Sequence, residues 1–368
     1  MHLRRGKRIA TAGGAVMVTA LALAACSSST TSAPAAGGTS TATSGSTSTS
    51  AALSGKLDGA GSTFQLTYQQ AAIQSFKSIQ SGMTVNYNGV GSGTGRTDLA
   101  SGVVNFAGSD SPIPSTEQAN FKGKTVLYFP ILIGPITLSY NLSGVSNLKL
   151  TPAVIAQIFS GKITSWNNPA IASINPGVKL PSQTITIAVR SDSSGTTQNF
   201  SLFLETAAPS DWSLGSSSTI KWPASARAGA GNGGVAQIVK STPGAIGYVD
   251  YTDAKAAGLT FASVQNKDGK YVAPSVTGAS ASAAGVTVAP NLTFHAVWGT
   301  GADAYPVTYQ TWVLVYEKQP NANDANMLKA YIGYLVGAGQ QLLPQLDYAP
   351  LPPNIDSMAK AQLSKITS

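Results

Sequence analysis

The sequence predicts an α/β protein whose folded part forms two lobes. Patterns typical of strands and of helices alternate along the chain, as they do in proteins of this class. The folded part runs from about Leu53 to Ser368, and its roughly 315 residues exceed what one hydrophobic core usually serves. Three loops of glycine and hydroxyl residues stand among these elements, at Gly59–Phe64, Gly89–Gly95 and Ser191–Thr196. Together these observations predict two lobes with small polar loops between strands and helices.

The N-terminus has the pattern of an export signal. Four basic residues within the first eight positions precede the apolar stretch Ile9–Ala25, whose 17 residues are short for a membrane span. The stretch ends in Leu23-Ala24-Ala25-Cys26, which resembles the bacterial lipobox, where cleavage frees a cysteine that is then diacylated. Residues 1–25 are therefore predicted to be a signal peptide, and Cys26 a lipidated residue carrying palmitate. The alternative is that Cys26, the single cysteine of the chain, is a spare or buried thiol.

A tether is predicted to follow the cysteine, over residues 26–52. Ser27–Ser50 consists almost wholly of Ser, Thr, Ala and Gly, without a charge or a large apolar side chain. Such a segment cannot bury enough apolar surface to fold. As a flexible coil it would span roughly 25–30 Å, which would hold the folded part near a membrane.

The charge of the chain argues against nucleic-acid binding. The full chain has 23 Lys and Arg against 15 Asp and Glu, and removal of the signal leaves 19 basic residues and a net charge of about +4. No run of basic residues interleaved with aromatic ones remains in the folded part. The charge is therefore interpreted as a mildly basic, solvated surface.

The first part of the folded chain predicts a helix and a strand. An apolar stripe at helical spacing follows the first polar loop, on Phe64, Tyr68, Ala72, Phe76 and Ile79. A strand is predicted over Val85–Val90, and Asn105–Gly108 is predicted to be a short connection to Ser109–Pro112.

Seven further elements are predicted after these. Thr151 and Pro152 form a helix start, with threonine as the cap and proline in the first turn. The remaining elements are strands over Val126–Ile133, Ile136–Tyr140 (separated from the first by Gly134-Pro135), Ile185–Val189, Gly244–Tyr251 and Thr311–Tyr316, and a helix over Ala325–Leu343.

The inventory of reactive side chains disfavours catalysis. Once the signal is removed, His295 is the single histidine and no second cysteine exists, which excludes Cys/His zinc sites. A serine triad would have to use His295. The glycine loops lack both the lysine of a phosphate-binding P-loop and the spacing of a dinucleotide fingerprint. We therefore expect no enzyme activity, no metal and no cofactor.

The three polar loops instead favour binding of a tetrahedral oxyanion. Ser191–Thr196 follows Arg190 at the end of an apolar strand and leads into a helix, so backbone N–H groups and hydroxyls converge beside one positive charge. The other two loops repeat this arrangement, although each taken alone is more often a plain turn. Arg190 and Asp192 share one side of an extended backbone and could pair, with a surface salt bridge as the alternative.

An ordered series of motifs resembles a known family. The motifs are Gly59–Phe64, Tyr87–Ser92, Phe106–Pro112, Gly161–Ile163 with Trp166-Asn167, Asn175-Pro176-Gly177 through Thr196, and Pro243–Tyr248. Over residues 55–355 the chain resembles the phosphate-binding receptor of the bacterial phosphate-specific ABC importer. The resemblance implies a type II periplasmic-binding-protein fold, with residues 53–133 plus 305–368 as lobe I and 134–304 as lobe II. Two hinge strands would join the lobes.

The resemblance also implies a set of phosphate contacts. They are Thr63, Phe64, Ser92 and Asp110 from lobe I, and Arg190, Ser194, Gly195 and Thr196 from lobe II. Asp192 is expected to brace the guanidinium of Arg190. The second loop departs from the family pattern at Gly91–Arg96, which leaves the roles of Thr94 and Arg96 open. Arg96 is expected to face outward, with added charge near the mouth of the site as the alternative.

The chemistry of Asp110 predicts selectivity. Phosphate keeps a proton near neutral pH and sulfate does not, so an ionised Asp110 can accept a hydrogen bond from phosphate alone. A site that leaves a buried polar group unpaired can reject an analogue by roughly 10⁴–10⁵-fold. The expected protein is a monomeric, lipid-anchored receptor on the extracytoplasmic face of the cell membrane, with the permease subunits of an ABC transporter as partners. The alternatives are a receptor for another oxyanion, such as sulfate or molybdate, and an extracellular phosphatase-like enzyme.

Overall fold

The computed structural model describes residues 53–368. The predicted signal peptide, Cys26 and the tether lie outside the described residues. Within residues 53–368, none of the helices combines the length and the apolar character that a membrane crossing requires.

The described residues form one large sheet and one small sheet. The strands are β1 (Gly55–Gly61), β2 (Met83–Gly89), β3 (Phe106–Ser109), β4 (Val126–Tyr140), β5 (Lys149–Leu150), β6 (Thr186–Arg190), β7 (Arg227–Gly229), β8 (Ala245–Asp250), β9 (Thr260–Phe261), β10 (Ser263–Gln265), β11 (Tyr271–Val272) and β12 (Thr308–Tyr316). The large sheet has the order β2-β1-β3-β12-β4-β8-β6-β7, with β9 paired to β4, and the small sheet has the order β11-β10-β5.

Helices connect these strands, which confirms the predicted α/β class. They are α1 (Leu66–Ile79), α2 (Ser92–Ala100), α3 (Pro152–Phe159), α4 (Pro169–Ala172), α5 (Gly195–Ala207), α6 (Gly231–Ser241), α7 (Tyr251–Ala256), α8 (Val276–Ala283), α9 (Ala322–Leu335) and α10 (Pro353–Gln362), with 3₁₀ segments at Ser115–Phe121, Ala338–Leu346 and Leu363–Lys365. The predicted helix start at Thr151 is confirmed, because its hydroxyl accepts a hydrogen bond from the backbone N–H of Val154 at 3.2 Å.

Two long strands, β4 and β12, run through the middle of the large sheet and connect its halves. They pair antiparallel from Tyr316 opposite Val126 to Thr308 opposite Pro135. At Ile136 strand β4 changes partner and pairs with β8. One half of the sheet is thus β2-β1-β3-β12 with the first part of β4, and the other is the second part of β4 with β8-β6-β7. The two halves are the sheets of two lobes.

The predicted interruption of β4 at Gly134-Pro135 is wrong, because the strand is continuous. Proline has no N–H to donate, but the backbone N–H of Ile136 donates to the carbonyl of Val307 at 2.8 Å and continues the pairing. Gly134 is needed for packing, since a Cβ there would lie 2.9 Å from Cζ of Phe64.

Two other predicted elements differ from the observed ones. Asn105–Gly108, expected to be a connection, contains most of strand β3, which pairs with both β1 and β12. The helix predicted over Ala325–Leu343 ends at Leu335, and a 3₁₀ segment follows from Ala338. Gly337 separates them with a backbone conformation of φ −114° and ψ −113°, which is not helical.

The apolar stripe of α1 packs into the main core. Tyr68, Ala72 and Phe76 are buried as predicted, while Ile79 at the last turn is 58% exposed. Each buried large side chain contributes roughly 1.5–3 kcal/mol relative to leaving it in water. The core thereby holds α1 against the sheet and fixes the loop that precedes it.

Candidate anion-binding site

The loops of interest lie at one edge of each half-sheet. Strands β1, β2 and β3 are parallel, and so are β6, β7 and β8. The loops after parallel strands leave from the same edge of a sheet, which is where ligands bind in folds of this kind. The structure brings these two edges into contact across a cleft between the lobes.

The loop after β1 is held by backbone contacts. Gly61 has φ 141° and lies directly against the backbone of Gly108, leaving no room for a side chain. The backbone N–H of Ser62 donates to the carbonyl of Gly108 at 2.9 Å, and the hydroxyl of Ser62 accepts from the N–H of Phe64 at 3.0 Å. Thr63 therefore projects at a tightly fixed turn before α1.

The ring of Phe64 anchors the same loop. It stacks on Tyr309 with 3.9 Å between ring centroids, and the hydroxyl of Tyr348 donates to the carbonyl of Phe64 at 2.7 Å. The hydroxyl of Tyr309 is buried and has no hydrogen-bond partner within residues 53–368.

Asp110 is the central feature of the cleft. Asp110 is 1% exposed. Its backbone N–H donates to the hydroxyl of Ser92 at 3.2 Å, and its backbone carbonyl accepts from Nδ2 of Asn199 at 2.7 Å. Its carboxylate oxygen Oδ1 is buried without a hydrogen-bond partner among the described residues. Buried polar atoms are nearly always paired, so an orphan of this kind requires an explanation.

Burial raises the pKa of Asp110 to about 6, because the ionised form loses its hydration. The hydroxyls of Ser62 and Thr311 and the positive charges of Arg190 and Arg96 oppose the rise. The carboxyl is therefore ionised at neutral pH and becomes protonated in mild acid.

Arg190 provides the positive charge of the cleft. It is buried, and its guanidinium forms a two-pronged pair with Asp192, with 2.8 Å from Nε to Oδ1 and a second bond from Nη2 to Oδ2. Burial pushes the pKa of Asp192 upward, but the hydrogen bonds and charge of Arg190 outweigh this effect and hold the pKa below its ordinary value. The pair belongs to the buried wall of the cleft and is not a surface salt bridge.

The loop after β6 presses against Asp110. The hydroxyl of Ser194 accepts from the N–H of Thr197 at 3.2 Å and caps α5. A Cβ at Gly195 would lie 2.5 Å from Cβ of Asp110 and 2.6 Å from Oγ of Ser92. Only glycine permits this approach, which brings the start of α5, with its unpaired N–H groups, to the other lobe's residues.

The expectation for Arg96 is wrong. Its side chain is fully buried and pairs with Glu117 at 2.7 Å and 2.8 Å, and Nη1 donates to the hydroxyls of Ser109 and Ser111 at 3.1 Å each. These serines flank Asp110, so Arg96 holds the segment that carries the carboxylate. Ser92 and Arg96 are four residues apart on α2, a spacing from which a common face could have been inferred.

Three polar residues of the cleft were not predicted from the sequence: Asn199, Asn232 and Gln310. Nδ2 of Asn199 donates to the carbonyl of Asp110, and Oδ1 of Asn199 accepts from Nε2 of Gln310 at 3.1 Å. Asn232 contacts both Thr63 and Arg190. Its segment, Gly229-Ala230-Gly231-Asn232 from the end of β7 to the start of α6, repeats the strand–glycine–helix pattern of the other three and could have been found by that pattern.

Thr94 lies outside this constellation, because it is exposed. His295 lies elsewhere as well, beside Ser282 and Trp298. Among residues 53–368, no group of three or more His, Cys, Asp or Glu side chains is arranged to hold a metal ion.

Several known proteins are similar to this chain in sequence. A sequence model of the PBP superfamily domain matches residues 46–338. Phosphate-binding protein PstS 3 of Mycobacterium leprae is 34% identical over 313 residues, covering 82% of this chain and 84% of the relative. PstS of Haemophilus influenzae is 32% identical, covering 84% of this chain and 93% of the relative. The chain belongs to the PstS family of phosphate-binding proteins. The family predicted from the sequence motifs is thereby confirmed.

Solved structures similar to this PstS-family chain have the same two-lobed fold. A high-affinity periplasmic phosphate-binding protein, solved with phosphate bound, aligns with a TM-score of 0.70 at 22% identity over 84% of this chain and 94% of that one. A phosphate-binding protein from Stenotrophomonas maltophilia aligns with a TM-score of 0.67 at 21% identity over 83% of this chain and 93% of that one. These similarities confirm the predicted fold class.

Proposed function

We propose that this protein is an extracytoplasmic receptor that binds inorganic phosphate between its lobes and delivers it to the permease of an ABC importer. Membership of the PstS family supports the proposal. The observation that carries it is the buried Asp110 carboxylate, one oxygen of which has no hydrogen-bond partner among residues 53–368, in a cleft that also holds the donors of Arg190.

The hydrogen-bond donors of the cleft favour binding of an anion, and the Asp110 carboxylate favours an anion that carries a proton. The proposed contacts are Thr63, Phe64, Ser92, Asp110, Arg190, Ser194, Gly195 and Thr196, with Asp192 bracing Arg190. Hydroxyls, backbone N–H groups and the guanidinium donate to the phosphate oxygens. Asp110 accepts from the proton that phosphate retains, whereas sulfate would meet the carboxylate with lone pairs alone.

Closure between two lobes is the second part of the proposal. Residues 53–133 with 305–368 would form lobe I and residues 134–304 lobe II, with β4 and β12 as the hinge strands. The change of partner in β4 between Pro135 and Ile136 supports this boundary. A bound anion contacts both lobes and draws them together, which gives the permease a closed shape to recognise.

The third part of the proposal concerns attachment to the membrane. Residues 1–25 would be removed, and Cys26 would carry lipid and tether a monomeric receptor to the outer face of the cell membrane. Substitution Cys26→Ala is expected to release the protein from the membrane fraction and to abolish incorporation of labelled palmitate. An unchanged membrane fraction would remove the lipid anchor from the proposal.

Calorimetric titration with phosphate tests the central claim. The purified protein is first stripped of ligand by unfolding and refolding, and sulfate is then used as competitor. Tight one-to-one binding of phosphate that excess sulfate leaves unchanged is the expected result. A folded, stripped protein that binds sulfate instead would establish the oxyanion alternative. Turnover of a chromogenic phosphate ester would replace the receptor by a phosphatase-like enzyme.

A further inference from the structure

One hydroxyl of the cleft has both of its acceptor positions filled. Oγ1 of Thr63 accepts a hydrogen bond from the backbone N–H of Asn232 at 3.3 Å and another from Nδ2 of the same residue at 3.2 Å. A threonine hydroxyl has one proton and two lone pairs. When both lone pairs accept, the hydroxyl can act towards any further partner only as a donor.

The turn before Asn232 is shaped to make these two bonds. Gly231 has φ 65°, a conformation that favours glycine, and a Cβ there would lie 3.2 Å from Cγ2 of Thr63. The N–H of Gly231 donates to Oδ1 of Asp192 at 3.0 Å. The carboxylate that braces Arg190 therefore also fixes the position of Asn232.

Asn232 is connected to the positive charge as well. Its side chain is fully buried, and its Oδ1 accepts from Nη1 of Arg190 at 3.4 Å. The amide thus has its oxygen towards the guanidinium and its nitrogen towards Thr63. Any reversal of the amide would place N–H against N–H at the arginine, so Arg190 determines which end faces the hydroxyl.

We propose that Asn232 is a positioning residue that acts across the cleft, fixing the Thr63 hydroxyl as a donor to the bound anion. This inference rests on the proposed function. Hydrogen bonds then run in one direction, from Asn232 to Thr63 and from Thr63 to a phosphate oxygen, and bonds in such a chain polarise and strengthen one another. Asp110 takes the phosphate proton while Thr63 donates to an oxygen that has none.

The same contacts hold the lobes together. Thr63 precedes α1, and Asn232 is the second residue of α6, 169 positions further along the chain. If these bonds form only when the cleft is closed, their loss should raise the rate of phosphate release and leave the association rate nearly unchanged. Release rate therefore distinguishes this role from a general loss of charge around the site.

A double-mutant cycle tests the coupling between the two residues. Asn232→Ala is expected to raise the Kd for phosphate by about tenfold or more through faster release. In a Thr63→Val background, the same change should cost less than about threefold, because no hydroxyl remains to be oriented. Thr63→Ser retains the hydroxyl and should restore the full effect. If Asn232→Ala raised the Kd by the same factor in the Thr63→Val background as in the wild type, the proposal would be wrong.

Asn175→Ala is the matched control. Asn175 is a buried asparagine of residues 134–304 whose Nδ2 donates to the carbonyls of Lys149 and Ile171, both at 2.9 Å, away from the cleft. It should lower the melting temperature and leave the Kd for phosphate unchanged. If it weakened binding as much as Asn232→Ala does, general destabilisation would account for both and the positioning role would be wrong.

Amide exchange separates this inference from the proposed function. If the wild-type protein failed to bind phosphate, the receptor proposal would fall, but the contact could still be measured. Hydrogen exchange of the Asn232 backbone N–H is expected to be about tenfold faster in Thr63→Val than in wild type or Thr63→Ser. Equal rates in all three proteins would show that the contact does not exist, and would overturn the inference whatever the ligand.

Discussion

Two buried arginines of this protein form the same kind of ion pair with a carboxylate, but the hydrogen bonds of their third nitrogen, Nη1, differ. Arg190 pairs with Asp192 and Arg96 pairs with Glu117, each through Nε and Nη2. Nη1 of Arg96 has two serine hydroxyls at 3.1 Å, whereas Nη1 of Arg190 has partners only at 3.4 Å and 3.5 Å. Bonds near 3.5 Å are weak, so the Nη1 donors of Arg190 remain available to a ligand, whereas those of Arg96 are engaged by the serines.

The comparison shows how one residue type serves binding in one place and stability in another. A guanidinium has five N–H groups, and what remains after its structural bonds decides what else it can do. Both arginines act on Asp110, because Arg96 holds its flanking serines and the charge of Arg190 favours its ionised form. Substitutions of Asp110, Arg190 and Arg96 should therefore change selectivity, affinity and stability, respectively.

The largest expected effect is on selectivity. Asp110→Ala should weaken phosphate binding and lower the preference for phosphate over sulfate by up to about 10⁴-fold, because no buried carboxylate remains to repel sulfate. Competition titration measures the ratio. A ratio equal to that of the wild type would remove Asp110 from its role as proton acceptor.

The next effect is on affinity. Arg190→Lys keeps the charge but loses the planar fork, and should raise the Kd for phosphate by roughly 100-fold to 1,000-fold. Calorimetry measures the Kd, and circular dichroism checks that the variant is folded. If Arg190→Lys bound phosphate normally, the spare donors of Arg190 would have no function in binding, and the contrast with Arg96 would disappear.

The corresponding change at the other arginine should act on stability. Arg96→Met leaves Glu117 without its partner and should lower the free energy of unfolding by about 3–5 kcal/mol. Urea denaturation measures this loss. Because Arg96 holds the segment that carries Asp110, discrimination against sulfate should weaken more than affinity for phosphate does. A loss of affinity as large as that of Arg190→Lys would show that Arg96 also contributes directly to binding.

The smallest expected effect is a pH dependence. Burial raises the pKa of Asp110 to about 6, so protonation of the carboxyl should weaken phosphate binding by about tenfold between pH 7 and pH 5. Asp110→Asn should lose the part of this dependence that the carboxyl causes and keep only the part that comes from the titration of phosphate itself. The stability of the ligand-free protein should depend on pH in the opposite direction to phosphate affinity. The folded state holds the Asp110 proton more tightly than the unfolded state does. The contribution of Asp110 to stability is therefore greatest in acid and falls as the pH rises through about 6. Denaturation at pH 4 and pH 7 checks the sign by comparing wild type with Asp110→Asn.

Several features of the fold followed from short stretches of sequence. The start of α3 at Thr151-Pro152 and the buried stripe of α1 depend on residues within a few positions of one another. The pairing of Arg190 with Asp192 is of the same kind, because residues two apart in an extended chain face one side. The motif series also identified the family, since it records an ordered set of such local patterns.

The errors arose where a neighbour distant in sequence decides the outcome. Gly134-Pro135 resembles a break, but β12 pairs alongside it and Ile136 supplies the hydrogen bond that proline lacks. Arg96 resembles a surface residue, but the segment from Ser109 to Glu117 folds over it and satisfies its charge. An isolated stretch of sequence contains no information about which partner will cover it.

The sequence by itself determined the small polar loops, the charged pair at Arg190 and the membership of a phosphate-binding family, because each is written in residues that are close along the chain. Only the tertiary structure decided that Asp110 is buried with an oxygen that no group of residues 53–368 pairs, and that Asn232 contacts Thr63 across the cleft. Burial and hydrogen-bond partners depend on elements that come together from distant parts of the chain. For that reason the pKa of Asp110 and the selectivity of the site depend on the fold as a whole.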